Sequence, residues 1–229
     1  MNNLQKMGGI SALYLAAAYL LGIVLFLFVL DYPNIVDPAQ KVALLVDKQT
    51  VIYATNLMLY VIFGILLIVL VLALYERLGA GAPALMRVAT AIGIIWAGSL
   101  IASGMVSNAG MAPVVALYAQ DPAQAAVTWQ GLEAVASGLG NGNGEILGGL
   151  LTVLISWAAL RAGGLPTLLN YLGVGVGLVG IVSVLPGLND LAGLFGMSQI
   201  IWFVWLAIIL LRAAPMHSPP PGTQRATTA

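Results

Sequence analysis

Long apolar runs separated by short polar stretches dominate the pattern of residues along this chain. A helix needs about 20 apolar residues to cross the hydrocarbon layer of a bilayer, and six segments have the length and hydrophobicity to do so. These segments cover residues 9–30, 51–75, 88–106, 138–160, 168–185 and 191–211. The pattern therefore predicts an all-α, polytopic membrane bundle of six transmembrane helices, which form a single domain over residues 1–212. Residues 213–229 are rich in proline and polar residues, and we expect them to form a disordered cytoplasmic tail.

A short sequence repeat suggests how these helices are organised. The tetrapeptide Asp-Pro-Ala-Gln occurs at residues 37–40 and again at 121–124, and at the same offset of 84 residues Arg77 matches Arg161. Aspartate at the N-cap and proline at the first turn also favour any helix start, so convergence is an alternative explanation for the tetrapeptide. The matching arginines favour duplication. We therefore predict three quasi-repeated hairpins, with short interfacial helices in outer loops 1 and 3.

The basic residues predict the orientation, because cytoplasmic loops of membrane proteins carry an excess of lysine and arginine. With the N-terminus inside, only Lys41 and Lys48 fall in outer loops. The basic residues on the cytoplasmic side are Lys6, Arg77, Arg87, Arg161, Arg212 and Arg225. Both termini are therefore expected in the cytoplasm.

Composition narrows the possible partners and functions. The 229 residues are 61% hydrophobic and 7% charged, which leaves too few charges to cover a water-soluble protein and predicts the lipid bilayer as a partner. The formal net charge is zero, so no nucleic-acid partner is expected. The chain has no cysteine, and its single histidine, His217, lies in the polar tail. We therefore expect no metal site and no cofactor.

Two stretches resemble a known family. The opening residues 1–10 (MNNLQKMGGI) and the segment from Tyr53-Ala54-Thr55-Asn56 to Tyr75-Glu76-Arg77 are similar to a bacterial family of small multi-pass membrane proteins, a domain of unknown function. The resemblance implies a location in the bacterial plasma (inner) membrane. It carries over no catalytic residue.

The fourth predicted span contains the most unusual polar stretch. Ile146 to Leu160 supplies too few residues to cross a bilayer, so the buried segment should reach back to about Asn141 and include Glu145. Alternating glycines and the amides of Asn141 and Asn143 make an unbroken helix costly there. A carboxylate at membrane depth is a candidate functional group. Two structural alternatives are an ordinary outer loop and a protonated Glu145 hydrogen-bonded between helices.

Other polar residues are expected on the same outer side. Ser103 and Ser107 lie on one stripe of the third span that leads to Asn108, while Glu133 follows in outer loop 3 and Asp190 lies before the sixth span. Together with Glu145, Asn141 and Asn143, they are the candidate ligand-binding residues. Serines spaced in this way also serve close helix packing, which is the alternative.

Three functions are compatible with these features. The first is binding or translocation of a small polar solute, a proton or a lipid through an outward-facing polar pocket at Glu145. The second is a structural or regulatory subunit, with Gly173 and Gly177 forming a close contact within the bundle, in a homo-oligomer or with another membrane protein. The third, an intramembrane enzyme using Glu133 and Glu145, lacks an activated nucleophile and a metal ligand set, so we do not expect an enzyme.

Overall fold

The computed structural model describes residues 3–140 and 145–212, except for the side chain of residue 33. Within these ranges every regular element is helical, and no strand occurs. The α-helices are α1 (Asn3–Val24), α2 (Pro38–Asn56), α3 (Phe63–Leu78), α4 (Pro83–Tyr118), α5 (Pro122–Leu139), α6 (Ile146–Ala162), α7 (Thr167–Val182) and α8 (Leu191–Arg212). Two segments have π-helical hydrogen bonding: the first π segment, Leu25–Val29, and the second π segment, Leu57–Ile62. A 3-10 turn covers Tyr32–Asn34.

Among the residues that the structure describes, four helices are long and apolar enough to cross a membrane. They are Asn3–Val29, Pro38–Leu78, Pro83–Tyr118 and Leu191–Arg212. Large apolar side chains such as Leu168 and Ile201 are exposed on the outside of the bundle, at 67% and 59%. Such a surface is suited to lipid, so these helices indicate a membrane location. The helices α6 and α7 are also apolar but have only 17 and 16 residues.

Six helices pack as a closed ring in the order α1, α3, α4, α6, α7 and α8. Aromatic side chains fill its centre, where the ring of Phe63 lies 5.6 Å from that of Tyr19 and 6.0 Å from that of Trp96. Edge-to-face contacts of this kind stabilise aromatic pairs beyond their burial. The largest buried cluster of apolar residues surrounds this centre and joins the ring helices.

Both ends of the described chain lie at one end of this ring. The side-chain amide of Gln5 donates to the carbonyl oxygen of Leu210 at 3.2 Å. At the same end of the bundle, the side chain of Arg77, in the last turn of α3, donates to the carbonyl oxygen of Gly164, which follows α6, at 2.9 Å. We call this end the terminal end and the opposite end the cap end.

A second helical layer lies beyond the ring at its cap end, and we call this layer the cap. The continuous helix Pro38–Leu78 has 41 residues and α4 has 36. At about 1.5 Å per residue both exceed the hydrocarbon thickness of about 30 Å, so their outer parts extend beyond the ring. The N-terminal part of α2, the C-terminal part of α4 and α5 pack there around a separate apolar cluster that includes Val42, Leu45 and Trp129.

Aspartates start both cap helices as the repeated tetrapeptide predicts. The carboxylate of Asp37 accepts a hydrogen bond from the backbone of Ala39, and that of Asp121 accepts one from the backbone of Gln124, both at 3.0 Å. Each aspartate is followed by proline at the first helical position. This combination satisfies the free N–H groups of a helix start.

The helices differ from the predicted elements in three places. The third predicted span covers residues 88–106, but α4 runs from Pro83 to Tyr118. The helix predicted in outer loop 1 does not stand alone, because it runs into the second span with only a kink at Lys48. The fourth predicted span begins at residue 138, but α5 continues to Leu139 and α6 begins only at Ile146. The glycines in this stretch favour such a break over an unbroken helix.

Glycines bring α6 and α7 into backbone contact. A Cβ atom added to Gly177 would lie 2.5 Å from the carbonyl oxygen of Gly149, and one added to Gly173 would collide with the hydroxyl of Ser156. Both Gly173 and Gly177 are buried against α6 of the same chain. A contact with another copy or another membrane protein would therefore need a different surface.

We predict that Gly177→Ala lowers the free energy of unfolding by about 1–3 kcal/mol, the usual cost of overpacking a tight contact. Gly175→Ala is the matched control on the same helix, because no atom lies within 4 Å of its added Cβ. Its stability should be unchanged or raised. Thermal unfolding in detergent measures both, and equal midpoints for the two variants would contradict the α6–α7 contact.

Candidate functional site

Side chains from both π segments line internal space near the cap end of the protein. In the first, the backbone N–H of Leu30 donates to the carbonyl of Leu25 at 2.8 Å, closing a wide turn. The hydroxyl of Tyr14 on α1 donates to the carbonyl of Met58 in the second at 2.8 Å. Wide turns of this kind are rare and often occur at functional sites.

A cavity of about 350 Å³ lies between the cap and the ring. We call it the head cavity. Its walls come from both π-helical regions, from α2, α4 and α5, and from the turn around Tyr32. The lining residues are Phe26, Leu30, Tyr32, Leu45, Ile52, Asn56, Tyr60, Ser103, Ser107, Trp129, Glu133, Ala136, Ser137 and Gly140.

Three residues of the head cavity wall, Tyr32, Trp129 and Glu133, belong to a charged network that also contains Lys41. The carboxylate oxygen Oε1 of Glu133 on α5 contacts Nζ of Lys41 on α2 at 2.7 Å and accepts a hydrogen bond from the Tyr32 hydroxyl at 2.8 Å. The indole N–H of Trp129 donates to the same hydroxyl at 3.2 Å. Nζ of Lys41 also lies 4.8 Å from the centre of the Tyr32 ring. A single carboxylate oxygen thus joins α2, α5 and the Tyr32 turn.

Burial fixes the roles of these groups. Desolvation raises the pKa of the Tyr32 hydroxyl well above its ordinary value, so it stays protonated and donates to Glu133. The side chains of Lys41 and Glu133 are only 21% and 28% exposed, which strengthens their attraction relative to a pair on the open surface. The unusual backbone of Asp31, with φ of 49°, turns the chain immediately before Tyr32. Aspartate tolerates this left-handed conformation better than most residues do.

The part of the wall that α4 contributes is polar but uncharged. The Ser103 hydroxyl donates to the carbonyl of Ala136 at 2.7 Å, which connects α4 to α5. The Asn56 amide donates to the side-chain oxygen of Asn108 at 2.9 Å, and the Asn108 amide in turn donates to the carbonyl of Tyr53 at 3.2 Å. The amide pair holds α2 against α4 beside the cavity.

A second cavity of about 330 Å³ adjoins the first, and we call it the chain cavity. Phe26 and Tyr60, one from each π segment, line both cavities. Its other lining residues come from α1, the π segments, α3 and α4, and nearly all are apolar: Ala18, Tyr19, Gly22, Ile23, Leu27, Leu59, Phe63 and Leu100.

Glu145 is buried within the bundle, which is closer to the alternative of a carboxyl between helices than to an open polar pocket. It is 5% exposed, its backbone N–H donates to the Ser183 hydroxyl at 2.9 Å, and its side chain does not cap α6. Its carboxyl lies within electrostatic range of the Tyr19 and Tyr60 hydroxyls but lines neither cavity. Among the residues that the structure describes, no group donates a hydrogen bond to its Oε2.

The candidate residues from the sequence therefore separate into groups. Glu133, Ser103 and Ser107 line the head cavity, and Asn108 is bonded to a residue of its wall. Asp190 is exposed in the turn between α7 and α8. Asn141 and Asn143 lie outside the described residues.

Sequence reasoning missed the partners of Glu133, which are Lys41, Tyr32 and Trp129. One signal was present: Lys41 and Glu133 carry opposite charges on the two helices that follow the repeated tetrapeptide. In the described part of the chain, no group of three His, Cys, Asp or Glu side chains is arranged to hold a metal ion.

The chain belongs to a family described as a domain of unknown function (DUF4386), whose family model matches residues 14–212. This match confirms the resemblance to a family without an assigned function. The search of curated proteins found no match for the chain. The search of solved structures also found none.

We predict that Lys41→Met and Glu133→Gln each lower the free energy of unfolding by about 1–3 kcal/mol, because each leaves a half-buried charge or acceptor without its partner. The double variant should lose less than the sum of the two, since the second change removes a group that has already lost its partner. Thermal unfolding in detergent of the wild type, the two single variants and the double variant measures these differences.

The matched control is the exposed pair of Lys48 and Asp47, which are 2.9 Å apart on the same helix. Lys48→Met should change stability by less than about 0.5 kcal/mol, as for other surface pairs. If Lys48→Met lowers the free energy of unfolding as much as Lys41→Met does, the network does not stabilise the protein more than an exposed ion pair.

Proposed function

We propose that this member of the DUF4386 family is a non-catalytic membrane protein that binds the polar group of a small ligand in the head cavity. The observation that carries the proposal is the Lys41–Glu133–Tyr32–Trp129 network on the wall of that cavity. Charged residues are rare in this chain, and solubility does not explain why two of them form a partly buried ion pair beside the head cavity. Its position beside a cavity of ligand size supports recognition of a polar group.

The proposed setting is a bundle that crosses the membrane six times as three hairpins, with the cap on the outer side. The helix bounds support the repeat: α2 begins at Pro38 and α5 at Pro122, while α3 ends at Leu78 and α6 at Ala162, so 84 residues separate both pairs. The shared position of Gln5 and Leu210 supports an even number of crossings. The short α6 and α7 fit this reading if the bilayer thins locally around them.

Glu133 takes the central role that the sequence suggested for Glu145. Its carboxylate lines the head cavity, whereas the Glu145 carboxyl is enclosed within the bundle. Ser103 and Ser107 supply hydroxyl groups from α4 to the lining of the same cavity. Ligand binding in the outer, cap half of the protein therefore remains our proposal, but with the pocket centred on Glu133.

We predict that the cap lies on the outer side of the membrane. Two single-cysteine variants of this cysteine-free chain test this orientation. Gln120 is exposed between α4 and α5 at the cap end, and Ala84 is exposed in the first turn of α4 at the terminal end. A membrane-impermeant thiol reagent should label Gln120→Cys in intact cells and Ala84→Cys only after permeabilisation. The reverse result would put the cap in the cytoplasm.

We predict that ligands of the head cavity protect Ser107→Cys from thiol reagents in nanodiscs. The test compounds are butanoylglycerol, butylamine, butanoate and butyl phosphate, which differ in the polar group and share a short chain. At least one should slow labelling, and Glu133→Gln should weaken that protection by about tenfold, as expected for loss of a charged hydrogen-bond partner.

The controls are Asp190→Asn, which changes an exposed carboxylate away from both cavities, and Ser156→Cys, whose side chain is buried between α6 and α7. Asp190→Asn should leave protection intact, and Ser156→Cys should resist labelling throughout. If no compound protects Ser107→Cys in a manner that depends on Glu133, the head cavity is not a ligand site.

A further inference from the structure

The two cavities meet at a shared boundary, and their linings differ in polarity. The head cavity is lined by the carboxylate of Glu133, by serines and by the amide of Asn56, whereas the chain cavity is lined mainly by aliphatic and aromatic side chains. Phe26 and Tyr60 belong to both walls. The boundary is formed by the two π segments, whose wide turns carry these side chains toward the interior. A ligand that fills both spaces needs a polar end and an apolar end.

We propose that the ligand is a single-chain amphiphile with a neutral or cationic head that donates hydrogen bonds, with its head beside Glu133 and its chain in the chain cavity. This inference rests on the proposed function and specifies its ligand class. Each cavity, at about 350 and 330 Å³, is near the lower limit for small-molecule sites. The chain cavity therefore has room for one hydrocarbon chain.

The hydrogen-bonding pattern selects the head group. Glu133 uses Oε1 for both Lys41 and Tyr32, and no described residue donates to Oε2, which leaves that oxygen to accept from a ligand. The Tyr32 hydroxyl already donates to Glu133 and accepts from Trp129. Ser107 and Ser137 line the same space and can donate or accept. Hydroxyl or amine donors suit this arrangement.

Charge disfavours an anionic head. Lys41, the cation of this network, is already engaged by Glu133 at 2.7 Å and by the face of the Tyr32 ring. A carboxylate or phosphate would add a second negative charge beside Glu133, and no described residue that lines the head cavity carries a positive charge to balance it. Like charges close together in a partly desolvated site repel each other strongly.

The chain cavity is accessible from the side of the bundle. Leu27, which lines it, is 49% exposed, and Gly22 on α1, which also lines it, lies close to the side chain of Leu59. A Cβ atom added to Gly22 would lie 3.3 Å from a methyl carbon of Leu59, so a longer side chain at this position occupies the cavity. An apolar space that opens toward lipid is filled by hydrocarbon in preference to water. The ligand is therefore expected to reach the site from the bilayer.

The test measures binding of butanoylglycerol and dodecanoylglycerol to the protein in nanodiscs, by native mass spectrometry after release of the complex. Gly22→Leu should weaken dodecanoylglycerol binding by about tenfold or more and leave butanoylglycerol binding unchanged, because only the longer chain needs the chain cavity. Leu27→Trp, at a half-exposed position that tolerates a larger side chain, should have the same effect if Gly22→Leu fails to fold.

Gly98→Leu on α4 is the matched control, since nothing lies within 4 Å of its added Cβ and it lines neither cavity. It should leave both ligands bound. Dodecanoylglycerol and dodecylamine should bind at least about tenfold more tightly than dodecanoate.

The outcomes separate the two proposals. Unchanged dodecanoylglycerol binding in both Gly22→Leu and Leu27→Trp would overturn the amphiphile inference while leaving head-group binding in place. Equal binding of dodecanoate would overturn the assignment of the head group. If no compound, including butanoylglycerol, binds in a manner that depends on Glu133, the proposed function itself is rejected.

Discussion

The ion pair between Lys41 and Glu133 holds the cap together. It joins residues 92 positions apart and connects α2 to α5, and the same carboxylate oxygen fixes the Tyr32 turn. A charge pair that is only 21–28% exposed gains from the low dielectric around it, but removal of either partner leaves a costly unpaired group. The shape of the head cavity depends on this contact because three of its walls meet at Glu133.

The ring below the cap is held by a different kind of interaction. Hydrophobic transfer cannot drive helices together in lipid, since lipid chains are as apolar as the side chains. Close approach of backbones replaces it, as between Gly149 on α6 and Gly177 on α7. Aromatic contacts around Phe63 and Trp96 then fill the centre of the ring. Tight packing on the α6–α7 side contrasts with the space left between the π segments on the α1–α3 side.

Several elements were predictable because their signals are local. The apolar runs locate α7 and α8 to within a few residues, and the Asp-Pro pairs at 37–38 and 121–122 mark the starts of α2 and α5. They miss the length of α4, which continues to Tyr118 although the third span was predicted to end at residue 106. The break before α6 was less predictable, since membrane depth was inferred by counting back from Arg161. That count assumes a helix of full bilayer length, whereas α6 has 17 residues. Glu145 was consequently expected in an outward pocket and instead lies against Ser183 within the bundle.

The sequence by itself determined the helical class, the apolar segments, the starts of α2 and α5 and the family, because periodicity, capping and composition act over a few residues. It also identified Glu133, Ser103 and Ser107 as members of a polar set. Only the tertiary structure decided that Glu133 pairs with Lys41, that Tyr32 and Trp129 complete the network, and that two π segments separate a polar space from an apolar one. These contacts join distant parts of the chain, and no local pattern specifies which distant partner a side chain meets.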